Sequence, residues 1–301
     1  KEVHPGQLVT VCIKAVNRHV IFLGKQQFQI GVAYLNTPGN EKEMLQCDGV
    51  TEKVQQTMAE FSPKHCGIAQ IDIEKVFLQD YLGLIGTQKN FRGSCQLAVL
   101  PEPVLSTRVR TGMEKQQEYR YSAVADDDSD ILDLRAFRPG DNLNHIHWNL
   151  SLRTDDLIVR QYGEQIDVKK VILVDLSILN TAQYRSRMDA VYTAVASIAN
   201  LYVENEVNTL ILAWNGQKQS AEYLEVHDRT ELNRAMIRLM QIPCSSRAGE
   251  HAAAVYLKDI EAQGQQALFV TAGSYENNKV RIVNVEKIQL QELIDELWEK
   301  I

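Results

Sequence analysis

Two histidines, a tryptophan and three arginines lie close together in the stretch FRPGDNLNHIHWNLSLRTDDLIVRQY, residues 137–162. His145 and His147 are two residues apart, so on a β-strand they would share one face. A zinc site needs three or four ligands, and no cysteine or further histidine lies nearby in the sequence. We therefore interpret both as structural histidines. Trp148 is expected to be packed in the interior, because large aromatic side chains are mostly buried.

Arg153 and Arg160 have the chemistry to bind phosphate, or to pair with carboxylates such as Asp141 or Glu164. The chain carries a net charge of -7, which favours pairing within the protein, with Asp141 as the first candidate. The same charge argues against a nucleic-acid partner, since that affinity depends on neutralising phosphates.

The tetrapeptide RPGD, residues 138–141, is typical of a tight turn. Pro139 presets one φ, Gly140 tolerates a positive φ, and Asp141 accepts hydrogen bonds from the following backbone. These residues are predicted to be structural.

Oxygen ligands for a cation are a second possibility. Asp175 and Ser177 follow the apolar run VILVD, and hard cations such as Mg²⁺ prefer such oxygens. The alternative is that Asp175 caps the following backbone. The chain has no GxGxxG, GxxxxGK[ST], HExxH or GxSxG motif, which argues against several enzyme classes.

Cys244, with His251 as its base, is a candidate nucleophile, although a free loop thiol is the simpler interpretation. The five cysteines are scattered and form no CxxC pair, which favours a reducing compartment. No apolar run reaches the length of a membrane-spanning helix.

The periodicity of apolar residues divides the chain into parts. Residues 1–104 alternate with period two between turn signals, which predicts a β-sandwich, and residues 105–130 are predicted to be a linker. Residues 131–301 alternate between buried strands and amphipathic helices, which predicts a doubly wound α/β domain. Thr230 is expected to cap the helix that contains Leu232, Met236 and Leu239.

Residues 131–162 also resemble the signature of a bacterial family called domain of unknown function fifty-eight. The segments VLPEPV and SPKHCGIAQIDIEKVFLQDYLGL are similar to further family patterns. The sequence departs from the pattern at Cys66 and Asn144, where arginine is usual, and at Leu152, where alanine is frequent. The residues that match the signature are Phe137, Pro139, Gly140, Asp141, Ile146, His147, Trp148, Asn149, Ser151, Arg153, Leu157, Val159 and Arg160.

The resemblance implies a β-sandwich followed by a von Willebrand factor A-like domain. It also implies an N-terminal membrane anchor upstream of these residues, location at the cytoplasmic side of a bacterial membrane, and a MoxR-type AAA+ ATPase as partner. The metal site of von Willebrand A domains would place Asp175, Ser177 and Thr271 as ligands. Leu179 and Ala272 stand where two further oxygen ligands are expected, so the site is predicted to be degenerate.

The favoured hypothesis is a non-enzymatic interaction module that requires no cofactor. Its possible interaction residues are Arg135, Pro139, Gly140, Asp141, His147, Trp148, Arg153 and Arg160. The alternatives are a ligand-binding domain that depends on Mg²⁺ or another divalent metal, and an enzyme of unrecognised class that uses His147 or Cys244.

Overall fold

The computed structural model describes residues 3–16, 23–35, 42–50, 54–107, 119–121, 131–138, 141, 143–154, 156–162, 165–167, 169–177, 183–260, 267–273, 275, 280–286 and 288–301. It is a mixed α and β protein. Its contacts divide the chain into two compact units, one of residues 1–109 with 170–301 and one of residues 110–169. This division differs from the boundaries at 104 and 131 that the sequence favoured, and those boundaries stay a prediction.

The N-terminal part of the first unit consists of two antiparallel sheets. Strands β1 and β4 form one sheet, and the other has the order β3-β2-β5-β6. The strands are β1 (Val9–Val16), β2 (Leu23–Tyr34), β3 (Glu43–Val50), β4 (Val54–Phe61), β5 (Gly67–Asp80) and β6 (Gly86–Val99).

One apolar core joins these two sheets. Ile13 of β1 and Phe61 of β4 pack with Phe28 and Ile30 of β2 and with Ile71 of β5, all at most 8% exposed. Alternate residues of β1, β2 and β4 point into this core because successive side chains of a strand lie on opposite faces. The predicted period-two strands are therefore confirmed.

The C-terminal part of the first unit has a five-stranded sheet with the order β13-β12-β11-β14-β15. Strands β12 and β14 flank β11 and run parallel to it, and β15 is parallel to β14. Edge strand β13 is antiparallel to β12. The elements are β11 (Lys170–Val174), α2 (Tyr184–Glu204), β12 (Thr209–Asn215), β13 (Ser220–Val226), α3 (Arg229–Gln241), α4 (Ala248–Val255), a π-helical turn (Tyr256–Ile260), β14 (Ala267–Thr271), β15 (Arg281–Asn284) and α5 (Leu290–Glu299).

Helices cover both faces of this sheet, as the continuous apolar strands require. Ile172 and Val174 of β11 pack in one core with residues of α2, α3 and α5. Val171 and Leu173 face the other way and pack with Ala252 of α4 and with Tyr256. The buried stripe of α2 recurs at steps of three and four residues, and its members are at most 6% exposed: Met188, Val191, Val195, Ile198 and Tyr202.

The prediction that Thr230 caps α3 is wrong. The cap is Asp228, whose side chain accepts the backbone N–H of Glu231 at 2.7 Å. Asp228 has extended backbone dihedrals, which place its carboxylate over the free N–H groups of the first turn.

The second unit is small. Its described residues form two antiparallel strand pairs, a 3₁₀ turn (Leu143–His145) and one short helix. The elements are β7 (Tyr119–Tyr121), β8 (Ile131–Ala136), α1 (Trp148–Thr154), β9 (Ile158–Tyr162) and β10 (Gln165–Asp167), with β8 paired to β9 and β7 to β10. Within the described residues of both units, no helix is long and apolar enough to cross a membrane.

Candidate functional site

The signature segment is held together by a bidentate ion pair between Arg135 of β8 and Asp141. Nη1 and Nη2 of Arg135 each donate to one carboxylate oxygen of Asp141 at 2.7 Å, and the backbone N–H of Arg138 donates to the same group at 2.7 Å. The Arg135 guanidinium and the Arg138 N–H lower the pKa of Asp141 to about 2. Asp141 therefore closes the loop after β8 while remaining ionised.

The prediction that Asp141 pairs with Arg153 or Arg160 is wrong. Arg153 is exposed near the end of α1, and Arg160 lies on β9 opposite Leu134. The Nε of Arg160 is buried and has no hydrogen-bond partner in the part of the chain that the structure describes. Arg135 binds Asp141 because the two residues are only six positions apart and the Asp141 N–H donates back to the Arg138 carbonyl, which keeps Asp141 close to the end of β8. Pro139, Gly140 and Glu164 lie outside the described residues.

His145 and His147 do not lie on a strand, so they do not share a strand face. His145 ends the 3₁₀ turn, and His147 precedes α1 and caps it. The ring Nδ1 of His147 accepts the backbone N–H of Leu150 at 3.3 Å, and its carbonyl accepts the N–H of Ser151 at 3.0 Å. Its own N–H donates to Ile158 of β9 at 2.8 Å. The role of His147 here is structural.

Trp148 is not packed in the interior, as the sequence suggested, but 58% exposed at the first position of α1. Leu152 lies one helical turn later on the same face and is 79% exposed. The buried apolar residues of this segment are instead Ile146 and Val159, each 3% exposed, which pair across an isolated β-bridge. We call the exposed pair Trp148 and Leu152 the α1 stripe.

The structure does bring together the three residues that the sequence offered as metal ligands. Oδ1 of Asp175 accepts the backbone N–H of Ser177 at 3.0 Å, and Oδ2 accepts the hydroxyl of Thr271 at 2.6 Å. The Ser177 hydroxyl accepts the N–H of Gly249 at 3.2 Å. The ends of β11 and β14 are thus joined to the first turn of α4.

This set does not fit a divalent ion. It offers a single carboxylate, and both of its oxygens already accept hydrogen bonds, from the Ser177 N–H and the Thr271 hydroxyl. A Cβ on Gly249 would lie 2.5 Å from Oδ1 of Asp175, so the helix backbone already crowds the carboxylate. Ala272 has no ligand atom in its side chain, and Leu179 lies outside the described residues. No group of three or more His, Cys, Asp or Glu residues that could hold a metal occurs within the described ranges.

Cys244 and His251, the candidate nucleophile and base, have different neighbours. The Cys244 thiol lies beside Tyr184, and burial raises its pKa. The His251 ring stacks on Trp214, with ring centroids 4.8 Å apart. A thiol with a raised pKa is a poor nucleophile at neutral pH, so this arrangement gives Cys244 no activation.

Sequence reasoning missed a polar cluster in the first unit. Asp189 of α2 accepts from Nδ1 of His65 at 2.6 Å and from the backbone N–H of Cys66 at 2.8 Å. Burial raises the pKa of Asp189, and it raises that of Cys66 to about 12. His65 precedes β5 and lies 124 positions from Asp189 in the sequence, so no local sequence pattern predicts their contact.

The cavity beside this cluster is small. It measures about 30 Å³ and is lined by Tyr34 and Arg185 as well as by the cluster itself. A space of this size holds about one or two water molecules, whereas ligand pockets reach several hundred Å³. The cluster therefore fastens the turn before β5 to α2 and offers no room for a substrate.

The comparisons with known proteins give one family. A family model described as "Protein of unknown function DUF58" matches residues 133–280, which include the signature segment and most of the five-stranded sheet. No curated protein and no solved structure matches the chain.

Proposed function

The chain belongs to the DUF58 family, and we propose that it is a non-enzymatic protein-interaction module. It works with a MoxR-type AAA+ ATPase in the assembly or maturation of other proteins, at the cytoplasmic side of a bacterial membrane. The observation that carries this proposal is the exposure of the α1 stripe within the signature segment.

An exposed tryptophan is the kind of residue that binds a partner. Trp, Tyr and Arg dominate the small groups of residues that supply most of the binding free energy at protein interfaces. Trp148 and Leu152 form an exposed apolar stripe, and Arg153 of the same helix is also exposed. The burial of Ile146 and Val159 means that the segment does not need Trp148 for its own packing.

The contacts at the start of α1 support the same function. His147 caps the helix through the N–H of Leu150 and ties it to β9 through its own N–H, which donates to Ile158. Binding residues on a rigid support lose less conformational freedom on association, which raises affinity. The signature thus combines a structural frame with an exposed stripe.

A von Willebrand factor A-like domain after a separate β-sandwich domain is part of this proposal. The strand order β13-β12-β11-β14-β15, with one antiparallel edge strand and helices on both faces, supports it. The polar residues at the strand ends act in this proposal as a structural junction, without a metal ion and without a cofactor.

Binding to the MoxR-type ATPase of the same genome tests the proposal. We expect the double variant Trp148→Ser/Leu152→Ser to bind at least about 30-fold more weakly, the loss typical of interface hot spots. The control Leu8→Ser/Leu105→Ser removes apolar side chains that are 69% and 58% exposed in the other unit, and it should bind like the wild type. Equal binding by the α1-stripe variant and the wild type would overturn the proposal.

A further inference from the structure

The tip of the β5–β6 hairpin carries a second exposed apolar surface, which the signature does not include. Four of the five residues in the connection 81–85 are large and apolar. Each of the four is more than 70% exposed: Tyr81 84%, Leu82 73%, Leu84 79% and Ile85 72%. Phe91 of β6 adds a further ring that is 59% exposed. Soluble proteins rarely expose so many adjacent large apolar side chains without a binding role.

The backbone of this tip is closed on itself. Asp80 N–H donates to the Ile85 carbonyl at 2.9 Å, and the Asp80 carbonyl accepts the N–H of Gly83 at 3.0 Å. The Asp80 side chain accepts the N–H of Ile85 at 2.9 Å. A tip with these internal hydrogen bonds leaves fewer backbone groups that would be costly to move out of water.

The charge of the distal hairpin is opposite to that of the whole chain. Residues 75–92 contain three basic residues and one acidic residue, whereas the protein has a net charge of -7. Lys89 follows Ile85 by four strand positions, about 13 Å at the usual rise per residue. An anionic surface that received the apolar tip would therefore meet Lys75 and Lys89 behind it.

We propose that the hairpin tip inserts into the surface of an anionic lipid bilayer. A bilayer surface is an apolar medium beneath a negatively charged layer, and it can surround a convex tip on all sides. Successive apolar residues around a turn point in different directions, so a flat protein surface would cover only part of them. Tyr81, at the tip itself, is an aromatic side chain of the kind that favours the boundary between headgroups and acyl chains.

Both parts of the surface contribute to the expected affinity. Each lysine near an anionic membrane is expected to raise the affinity by about fivefold. The apolar side chains should supply a component of binding that remains at high salt, because burial of apolar area does not depend on charge. At about 1 M salt the Debye length falls to about 3 Å, so the lysine component should vanish there.

Flotation with lipid vesicles tests the proposal. The wild type should bind phosphatidylcholine vesicles that contain phosphatidylglycerol much more strongly than pure phosphatidylcholine vesicles. Leu84→Glu/Ile85→Glu should abolish this binding, and Lys75→Gln/Lys89→Gln should weaken it by about 25-fold at low salt. Leu8→Glu/Leu105→Glu changes exposed leucines elsewhere and should bind like the wild type.

Two results would overturn the proposal. One is that the wild type does not bind anionic vesicles, or that the tip substitutions leave its binding unchanged. The other is self-association, seen by sedimentation velocity without vesicles, that the tip substitutions abolish; the tip would then contact a second copy of the chain. The inference does not rest on the proposed partner binding, because the tip variants leave the α1 stripe intact and can be tested for ATPase binding in parallel.

Discussion

The carboxylate of Asp189 joins two residues of the turn before β5, since it accepts from Nδ1 of His65 at 2.6 Å and from the backbone N–H of Cys66 at 2.8 Å. The side chains of His65 and Asp189 are both less than one-third exposed. The contact fastens the N-terminal sheets to α2 within the first unit.

We predict that Asp189→Leu lowers the free energy of unfolding by about 1–3 kcal/mol, because the side chain keeps its approximate volume but leaves the Cys66 N–H without an acceptor. Urea denaturation measures the change. The control is Asp48→Leu, at a side chain that is 55% exposed in a surface ion pair with Lys25, and it should change stability by less than about 0.5 kcal/mol. Equal effects of the two substitutions would contradict a structural role of the cluster.

The Arg135–Asp141 pair makes a prediction about pH. The pKa of Asp141 is lowered in the folded protein to about 2 from its ordinary value of 3.8. A lowered pKa means that the folded state favours the ionised carboxylate, so its contribution to stability is complete above pH 4. It is lost as the pH falls from about 4 to about 2. A carboxyl NMR titration should find the Asp141 midpoint near 2 in the wild type and closer to 3.8 in Arg135→Gln.

Arg153→Gln is the matched control for this titration, because Arg153 does not contact Asp141. It should leave the Asp141 midpoint unchanged. If the Asp141 midpoint shifted in Arg153→Gln and not in Arg135→Gln, Asp141 would pair with Arg153, as the sequence suggested.

Trp148 and Ile146 should differ in their effect on stability, although they are two residues apart. Trp148→Ala should change the free energy of unfolding by about 0.5 kcal/mol or less, because the side chain is mostly exposed. Ile146→Ala should cost about 2–5 kcal/mol, because it removes a buried side chain. Thermal or urea unfolding compares the two. A loss of several kcal/mol in Trp148→Ala would mean that the indole ring packs against another part of the protein.

Asp175 is predicted to be structural and not a metal ligand. Isothermal titration with Mg²⁺ and Mn²⁺ should give no binding at micromolar concentrations, and millimolar Mg²⁺ should not raise the melting temperature. Asp175→Ala should destabilise the fold by about 1–3 kcal/mol, because it removes the acceptor of the Thr271 hydroxyl, which is fully buried. A micromolar affinity that Asp175→Ala abolishes would refute this interpretation.

The sequence by itself determined many of the regular elements of the first unit. The spacing of Met188, Val191 and Val195 predicts α2, and the alternation in FQIGVAY predicts β2, because helices and strands expose side chains with different periods to one core. The uninterrupted run VILV predicts the central strand β11, since a strand with helices on both faces has no polar side. Asp175 and Ser177 were likewise identified from their position after this strand.

The partners of polar residues were decided by the tertiary structure. Asp141 has arginines on both sides in the sequence, and the sequence alone favoured those that follow it. The three-dimensional structure pairs it with Arg135 instead. His65 and Asp189 are separated by 124 positions, and neither has a neighbour that predicts the other. A hydrogen bond or ion pair requires contact within about 3 Å, and distance in space is not encoded in a local pattern.

Exposure of apolar residues also depended on the fold. Trp148 and Ile146 are both apolar, yet one is exposed and the other buried, because the backbone turns from an isolated bridge into α1 between them. The leucines of the hairpin tip are as apolar as those of the core. Folded proteins keep much apolar area on their surface, so hydrophobicity alone does not identify the buried residues. The periodic elements follow from local sequence, whereas the exposed stripe and the exposed tip follow from how those elements end and pack.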